Sequence, residues 1–147
     1  MSIVERFNKR TAQSTSTMIK ALANYFNIDA DDIEELSDNE FGIGHSVYMV
    51  LSDKEADKRV TEYIKDSVWA FRPEFIIDHS NLPDEAIEMV QSFQETKSDG
   101  ANETILSLII DIKDFVEDAI AADGRGHFLA SDTNELEQDG LYIYKKN

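Results

Sequence analysis

The chain of 147 residues has no cysteine, which excludes a disulfide framework, a thiolate zinc site and a cysteine nucleophile. It has no apolar run near the roughly 18 residues that a membrane span needs, and Met1 to Lys20 lacks the apolar core of a secretory leader. A cytoplasmic protein with no membrane partner is therefore expected. Only two prolines occur, and each marks a helix boundary: Arg72-Pro73 as a stop, Pro83 as a first-turn residue. Basic residues are the other scarcity, 14 against 30 acids, for a formal net charge of −16. No Lys or Arg lies between Ala21 and Asp53, between Pro73 and Glu95, or between Gly126 and Tyr144. Direct binding of nucleic acid is disfavoured, because it requires cations that displace condensed counterions.

What is present is enough apolar residue, 41%, to bury one core, so a single domain over residues 1–147 is expected, with residues 1–15 loosely ordered. The strongest periodicity is in Asn102 to Leu129. Ile105, Ile109, Ile112, Val116, Ala119 and Ile120 recur at steps of three and four, and Leu106, Leu108, Ile110 and Phe115 widen that face. The spacing predicts one central buried helix over residues 102–122, with Asn102 as its N-cap and Gly124 as its positive-φ stop. Around it, Ser16 is expected to cap a helix through MIKALANYF, and IDADDIEELSDNE to begin a short helix at Asp29 or Asp31. Ser52-Asp53-Lys54-Glu55 matches a capping box for a helix to about Trp69, and a short helix is expected over Glu74 to Asp78. Strand-like content marks SVYMVLS (46–52), HFLAS (127–131) and LYIYK (141–145), the last entered through Asp139-Gly140, a turn signal. The predicted fold is α+β: four to six helices around the 102–122 helix, with a small antiparallel sheet of three strands.

Chemistry-bearing motifs are few. The acids of residues 29–40 fail the calcium-loop spacing, lacking the sixth-position glycine and the twelfth-position glutamate. His45, His79 and His127 have no second ligand at metal spacing, and neither a nucleophile elbow nor a phosphate-cradling loop is present. Neither a metal nor a cofactor is expected. His127 with Asp123, beside Arg125, is the one pairing that suggests general-base work, and its plainer reading is a helix stop before a strand.

The segments YMVLSDKEADKRVTEYIKDSVWAF, FVEDAIAADGRGHFLASD and the closing YIYKKN together resemble a group of small phage-encoded proteins. Those carry a YLVLTDEEAD-like segment, a DGRGHFL turn and a YIYR-x-N ending. The resemblance covers roughly residues 46–80 and 113–147, and LASDTNELEQDG departs from the group's glycine- and glutamate-rich stretch. It implies phage origin and a site of action in the host cytoplasm, and it attaches no activity to any residue.

Charge carries the functional expectation. A non-catalytic inhibitor that mimics DNA would place carboxylates where a cationic channel expects phosphates, on a restriction, gyrase or polymerase type of enzyme. The candidate partner-binding residues are Asp29, Asp31, Asp32, Glu34, Glu35, Asp38, Glu40, Asp84, Glu85, Glu88, Asp111, Asp114, Glu117 and Asp118. The alternatives are a regulatory or structural binding module that uses an apolar or mixed surface, and an enzyme centred on Asp123, Arg125 and His127. A homodimer is left open.

Overall fold

A computed structural model describes the backbone from Ile3 and side chains from Thr15 to Asn147. The looseness expected of residues 1–15 falls, up to residue 14, outside the described residues. In chain order the elements are α1 (Ile3–Phe26), β1 (Glu34–Ser37), β2 (Glu40–Ile43), β3 (Ser46–Leu51), α2 (Asp53–Ser67), α3 (Pro73–Asp78), α4 (Ile87–Lys97), α5 (Asn102–Leu108), α6 (Ile112–Asp123), α7 (Arg125–Leu129), β4 (Leu136–Gln138) and β5 (Leu141–Lys145). The fold is α+β, and its strands form one antiparallel sheet in the order β1-β2-β3-β5-β4. The chain divides into two compact units, Met1–Asp57 with Arg125–Asn147, and Lys58–Gly124. The boundary falls inside α2.

In the first unit, α1 ends where Asn27 takes φ 55 and the Ile28 amide donates to the Ala23 carbonyl, an Asn-terminated helix stop. Ser16 lies inside α1, not at its cap. Met18 and Leu22, one turn apart, pack with Ile33, Phe41, Val50 and Ile143, and Ile19, Ala23 and Phe26 close around them. Phe41, Val50 and Ile143 come from three adjacent strands and share one face of the sheet. Burying each such side chain stabilises the unit by about 1.5–3 kcal/mol. Period-two alternation sends Met49, Leu51, Tyr142 and Tyr144 to the opposite face.

SVYMVLS and LYIYK pair as expected, with Met49 opposite Tyr144 and Val50 opposite Ile143. Asp139-Gly140 makes the β4–β5 turn with both φ values positive, 56 and 78, the signature of a type I′ hairpin. Two expectations need correction. Residues 127–131 are not a strand: Arg125, Gly126 and Leu129 are buried at helical spacing in α7, and the Ala130 amide donates to the Gly126 carbonyl. Residues 29–40 hold only a 3-10 turn at Ala30–Asp32, and then the hairpin β1–β2. Asn39 decides this: it takes φ 66 in the hairpin loop, and its side-chain amide donates to the Val50 carbonyl at 3.0 Å.

In the second unit α2 gives way at Val68–Ala70 to a 3-10 turn, Arg72 is extended, and Pro73 opens α3. Ile64, Val68, Ile76, Val90, Ile105 and Phe115 are buried. The single central helix is the third correction, because it is two helices. Asp111 is an N-cap whose Oδ1 accepts from the Lys113 and Asp114 amides, Ile109 is extended, and the Ile110 amide donates to the His79 carbonyl. A local cap and a β-branched Ile109-Ile110 pair outweigh helix continuation, and Ile110 is left 64% exposed. Asn102 is no N-cap either. Its side chain accepts from the Trp69 amide and donates to the Lys65 carbonyl, finishing the end of α2. Gly124 does take a positive φ, 82, after α6.

Candidate functional site

The most organised polar constellation is in the first unit and is centred on Arg125. The capping box forms as the sequence predicts: the Glu55 amide donates to Ser52 Oγ and the Ser52 amide to Glu55 Oε1, each at 3.2 Å. That cap fixes the first turns of α2, where Asp53 and Asp57 stand four residues apart on one face. Arg125 Nη1 donates to Asp53 Oδ1 at 2.9 Å, to the Asp53 carbonyl at 3.1 Å and to Asp57 Oδ1 at 3.0 Å. Its Nε donates to Glu135 Oε1 at 2.7 Å. Tyr142 and Tyr144, two residues apart on β5, face the same side. The Tyr142 ring lies 4.5 Å from the guanidinium carbon, and the Tyr144 hydroxyl donates to Glu135 Oε1. Gly126 allows α7 to lie on the Thr133–Asn134 backbone; an added Cβ would stand 2.5 Å from the Thr133 carbonyl oxygen.

Arg125 is only 9% exposed. Burial alone would loosen its proton, but the hydrogen bonds to Glu135, Asp57 and Asp53 and the proximity of Tyr144 outweigh it and hold the guanidinium above its already high value. Burial first, then the bond to Glu135, pushes the Tyr144 hydroxyl well above the ordinary tyrosine value, so it stays a donor. Arg125 Nε and Nη1 are taken by three carboxylates, and the guanidinium face lies against a ring. The cluster is structural: it ties α7, β5 and the start of α2 together.

The resemblance-bearing segments meet at this cluster: Asp53 and Asp57 of SDKEAD, Arg125 of DGRGHFL, Tyr142 and Tyr144 of YIYKKN. The closing Asn147 adds a second tie. Its side chain accepts from the Val47 amide and donates to the His45 carbonyl, both at 2.8 Å, beyond the end of the β3–β5 ladder. His127 is exposed, its ring edge-on to Phe128. Sequence reasoning missed the cluster. Its signals were the i,i+4 spacing of Asp53 and Asp57, the i,i+2 spacing of Tyr142 and Tyr144, and a lone base between two glycines.

The 14 candidate acids fall into two sets. Asp84, Glu85, Glu88, Asp111, Asp114, Glu117 and Asp118 belong to the second unit, and all are exposed. Most have local employment. Asp84, Glu85, Glu88 and Asp114 occupy first turns of helices, where the dipole favours them, and Asp111 caps α6. Asp118 pairs with His79 Nε2 at 3.0 Å, and Glu117 lies 4.0 Å from Lys113. Asp29, Asp31, Asp32, Glu34, Glu35, Asp38 and Glu40 belong to the first unit and run from the 3-10 turn along the sheet edge. All are exposed except Glu40, which is half-buried and accepts from Ser37 Oγ at 3.3 Å. Among the described residues no ion pair engages this first set.

Among the described residues no helix is long and apolar enough to cross a membrane, and no group of three or more His, Asp or Glu is arranged to hold a metal ion. No protein family, curated protein or solved structure matches the chain.

Proposed function

We propose that this chain is a phage-encoded, non-catalytic acidic inhibitor that acts as a DNA mimic and occupies the cationic DNA-binding surface of a host or defence enzyme. One observation carries the reading. The carboxylates from Asp29 to Asp38 are exposed on a defined turn and edge strand, and no cation among the described residues neutralises them. Exposed like charges held together repel one another, so a fold that keeps them is stabilised when a cationic partner arrives. Glu34 and Glu35 are adjacent on β1, so period-two alternation sets their carboxylates on opposite faces of the edge strand and the acidic surface wraps that edge. A partner built to displace counterions from DNA gains the same release here. The seven acids of the second unit are not needed for the proposal, since helix termini and pairing account for most of them.

The test is displacement. Bacterial DNA-binding proteins are loaded on duplex-DNA resin and this protein is passed over them. A mimic releases a specific enzyme, and the released enzyme then fails to rebind DNA while the complex lasts. No release at low salt, or a released enzyme that holds DNA and this protein together, would end the proposal.

A further inference from the structure

The sheet has two edges, and they differ. At β4, Leu136 joins the α1 side of the core and Asn24 of α1 donates to Asp139 Oδ2 at 2.9 Å, so that edge is tied to the helix. At β1 all four residues, Glu34 to Ser37, are exposed, and among the described residues no strand pairs with the side away from β2. Backbone groups of an antiparallel strand point alternately to either side, so β1 turns the amides and carbonyls of about two residues outward. Leu36 is the extra residue at the bulge between Glu35 and Ser37, and it leans over Gly42, where an added Cβ would lie 3.5 Å from its Cδ1. It remains 47% exposed. The open edge therefore presents backbone donors and acceptors, two carboxylates and one apolar side chain.

We infer that β1 is a docking edge for an extended basic segment of a protein partner, which adds as a sixth strand and sets cationic side chains against Glu34 on one face of the sheet and Glu35 on the other. Charge complementarity selects this occupant. A second copy of the chain would bring Glu34 and Glu35 against themselves, and like charges facing each other across strands destabilise the pair. Shortness, the bulge and the acids guard the edge against indiscriminate pairing; the same acids favour a lysine- or arginine-bearing strand. Main-chain bonds would supply affinity and the Leu36 side a preference for an apolar residue. The inference rests on the acidic reading above and names how the partner engages the same segment.

The probe is a synthetic Lys-Lys-Val-Lys-Lys peptide, which carries lysines on both faces of an added strand, compared with the same peptide N-methylated on its backbone and with a Glu-Glu-Val-Glu-Glu control. The lysine peptide should bind and shift the amide resonances of residues 34–37. N-methylation should weaken it by at least about tenfold, through the loss of backbone hydrogen bonds. In the Glu34→Lys/Glu35→Lys variant the preference should invert toward the glutamate peptide. If the N-methylated peptide binds equally well, recognition is by charge alone; the edge proposal is then wrong and DNA mimicry still stands on the displacement test. Absence of binding by either lysine peptide also overturns it.

Discussion

Two groups of carboxylates in the same unit have opposite fates. Asp53, Asp57 and Glu135 converge on one guanidinium and spend their charge inside the fold. Asp29 to Asp38, in the 3-10 turn and the first half of the β1–β2 hairpin, converge on nothing among the described residues. The difference is geometric. Asp53 and Asp57 sit on a capped helix, where four-residue spacing aims both at one point, and Tyr142 and Tyr144 on β5 bring an aromatic wall to the same place. The residues of the 3-10 turn and edge strand have no such convergence. Composition counts both groups alike; only placement separates structural acidity from acidity available to a partner.

The largest effect expected from breaking this contrast is at Arg125. Arg125→Met should cost about 2–4 kcal/mol in chemical denaturation. That is less than the 3–5 typical of a fully buried pair, because Asp53 and Asp57 are 69% and 59% exposed and rehydrate, whereas Glu135, at 30%, does so less. Arg125→Lys should fall between, since an ammonium cannot reproduce the fork to Glu135 and Asp57 or the stacking on Tyr142. Full stability of Arg125→Met would show that the cluster is an exposed, unimportant set of pairs.

Gly126→Ala should come next, at about 1–3 kcal/mol, because the new Cβ meets the Thr133 and Asn134 backbone, which cannot rotate away. Gly124→Ala should cost about 1–3 kcal/mol for a different reason, a φ of 82 with ψ of 154 that only glycine adopts freely. A double variant with Arg125→Met that costs less than the sum would place Gly126 in the same cooperative tie.

A smaller effect is expected at Asn24. Its hydrogen bond holds the Asp139 carboxyl below its ordinary value of 3.8, with a lesser contribution from Gln138. A depressed folded-state value contributes stability above the ordinary carboxylate range and loses it as pH falls through the folded value. Asn24→Ala should therefore lower the melting temperature slightly near neutral pH, with the gap closing once Asp139 is protonated. A gap independent of pH would assign the effect to packing.

How much of this was legible beforehand follows from which signals were local. The capping box, the Asp139-Gly140 hairpin and the helix boundary at Arg72-Pro73 depend on neighbours in sequence, and each formed, whereas Pro83 stands ahead of a 3-10 turn at Asp84–Ala86 and not in the first turn of a helix. The strands β3 and β5 carry local signals, but their pairing joins distant parts of the chain. The 102–122 helix failed because hydrophobic spacing cannot see a cap: Asp111 reads as one more acid on the polar stripe until its side chain is found on the Lys113 and Asp114 amides. HFLAS failed because five residues do not distinguish a strand from one helical turn. The hairpin at residues 34–43 was hidden by acids that suit a helix start equally well, and Asn39 revealed it only through its bond to Val50. The Arg125 cluster joins residues up to 72 apart, which no periodicity encodes.

The smallest stability effect is expected at Gly42. Its Cβ position is in ordinary contact with Leu36, and its φ is not positive, so Gly42→Ala should change stability by no more than about 0.5 kcal/mol and gain from reduced chain entropy. A large loss would show that Leu36 is locked against β2 and not available at the edge.

The central claim is that the Asp29–Asp38 acids serve a partner and not the fold. Its most direct measurement is the association rate of the enzyme released from DNA, with wild type and with the Asp31→Lys/Asp32→Lys/Glu34→Lys/Glu35→Lys variant, across a salt series. Exposed charges act over about 8 Å at physiological ionic strength and less above it. Wild-type association should therefore slow steeply with salt, and the variant should bind slowly at every salt concentration with an unchanged or raised melting temperature. Equal association rates for the two proteins in a fully folded variant would contradict the claim.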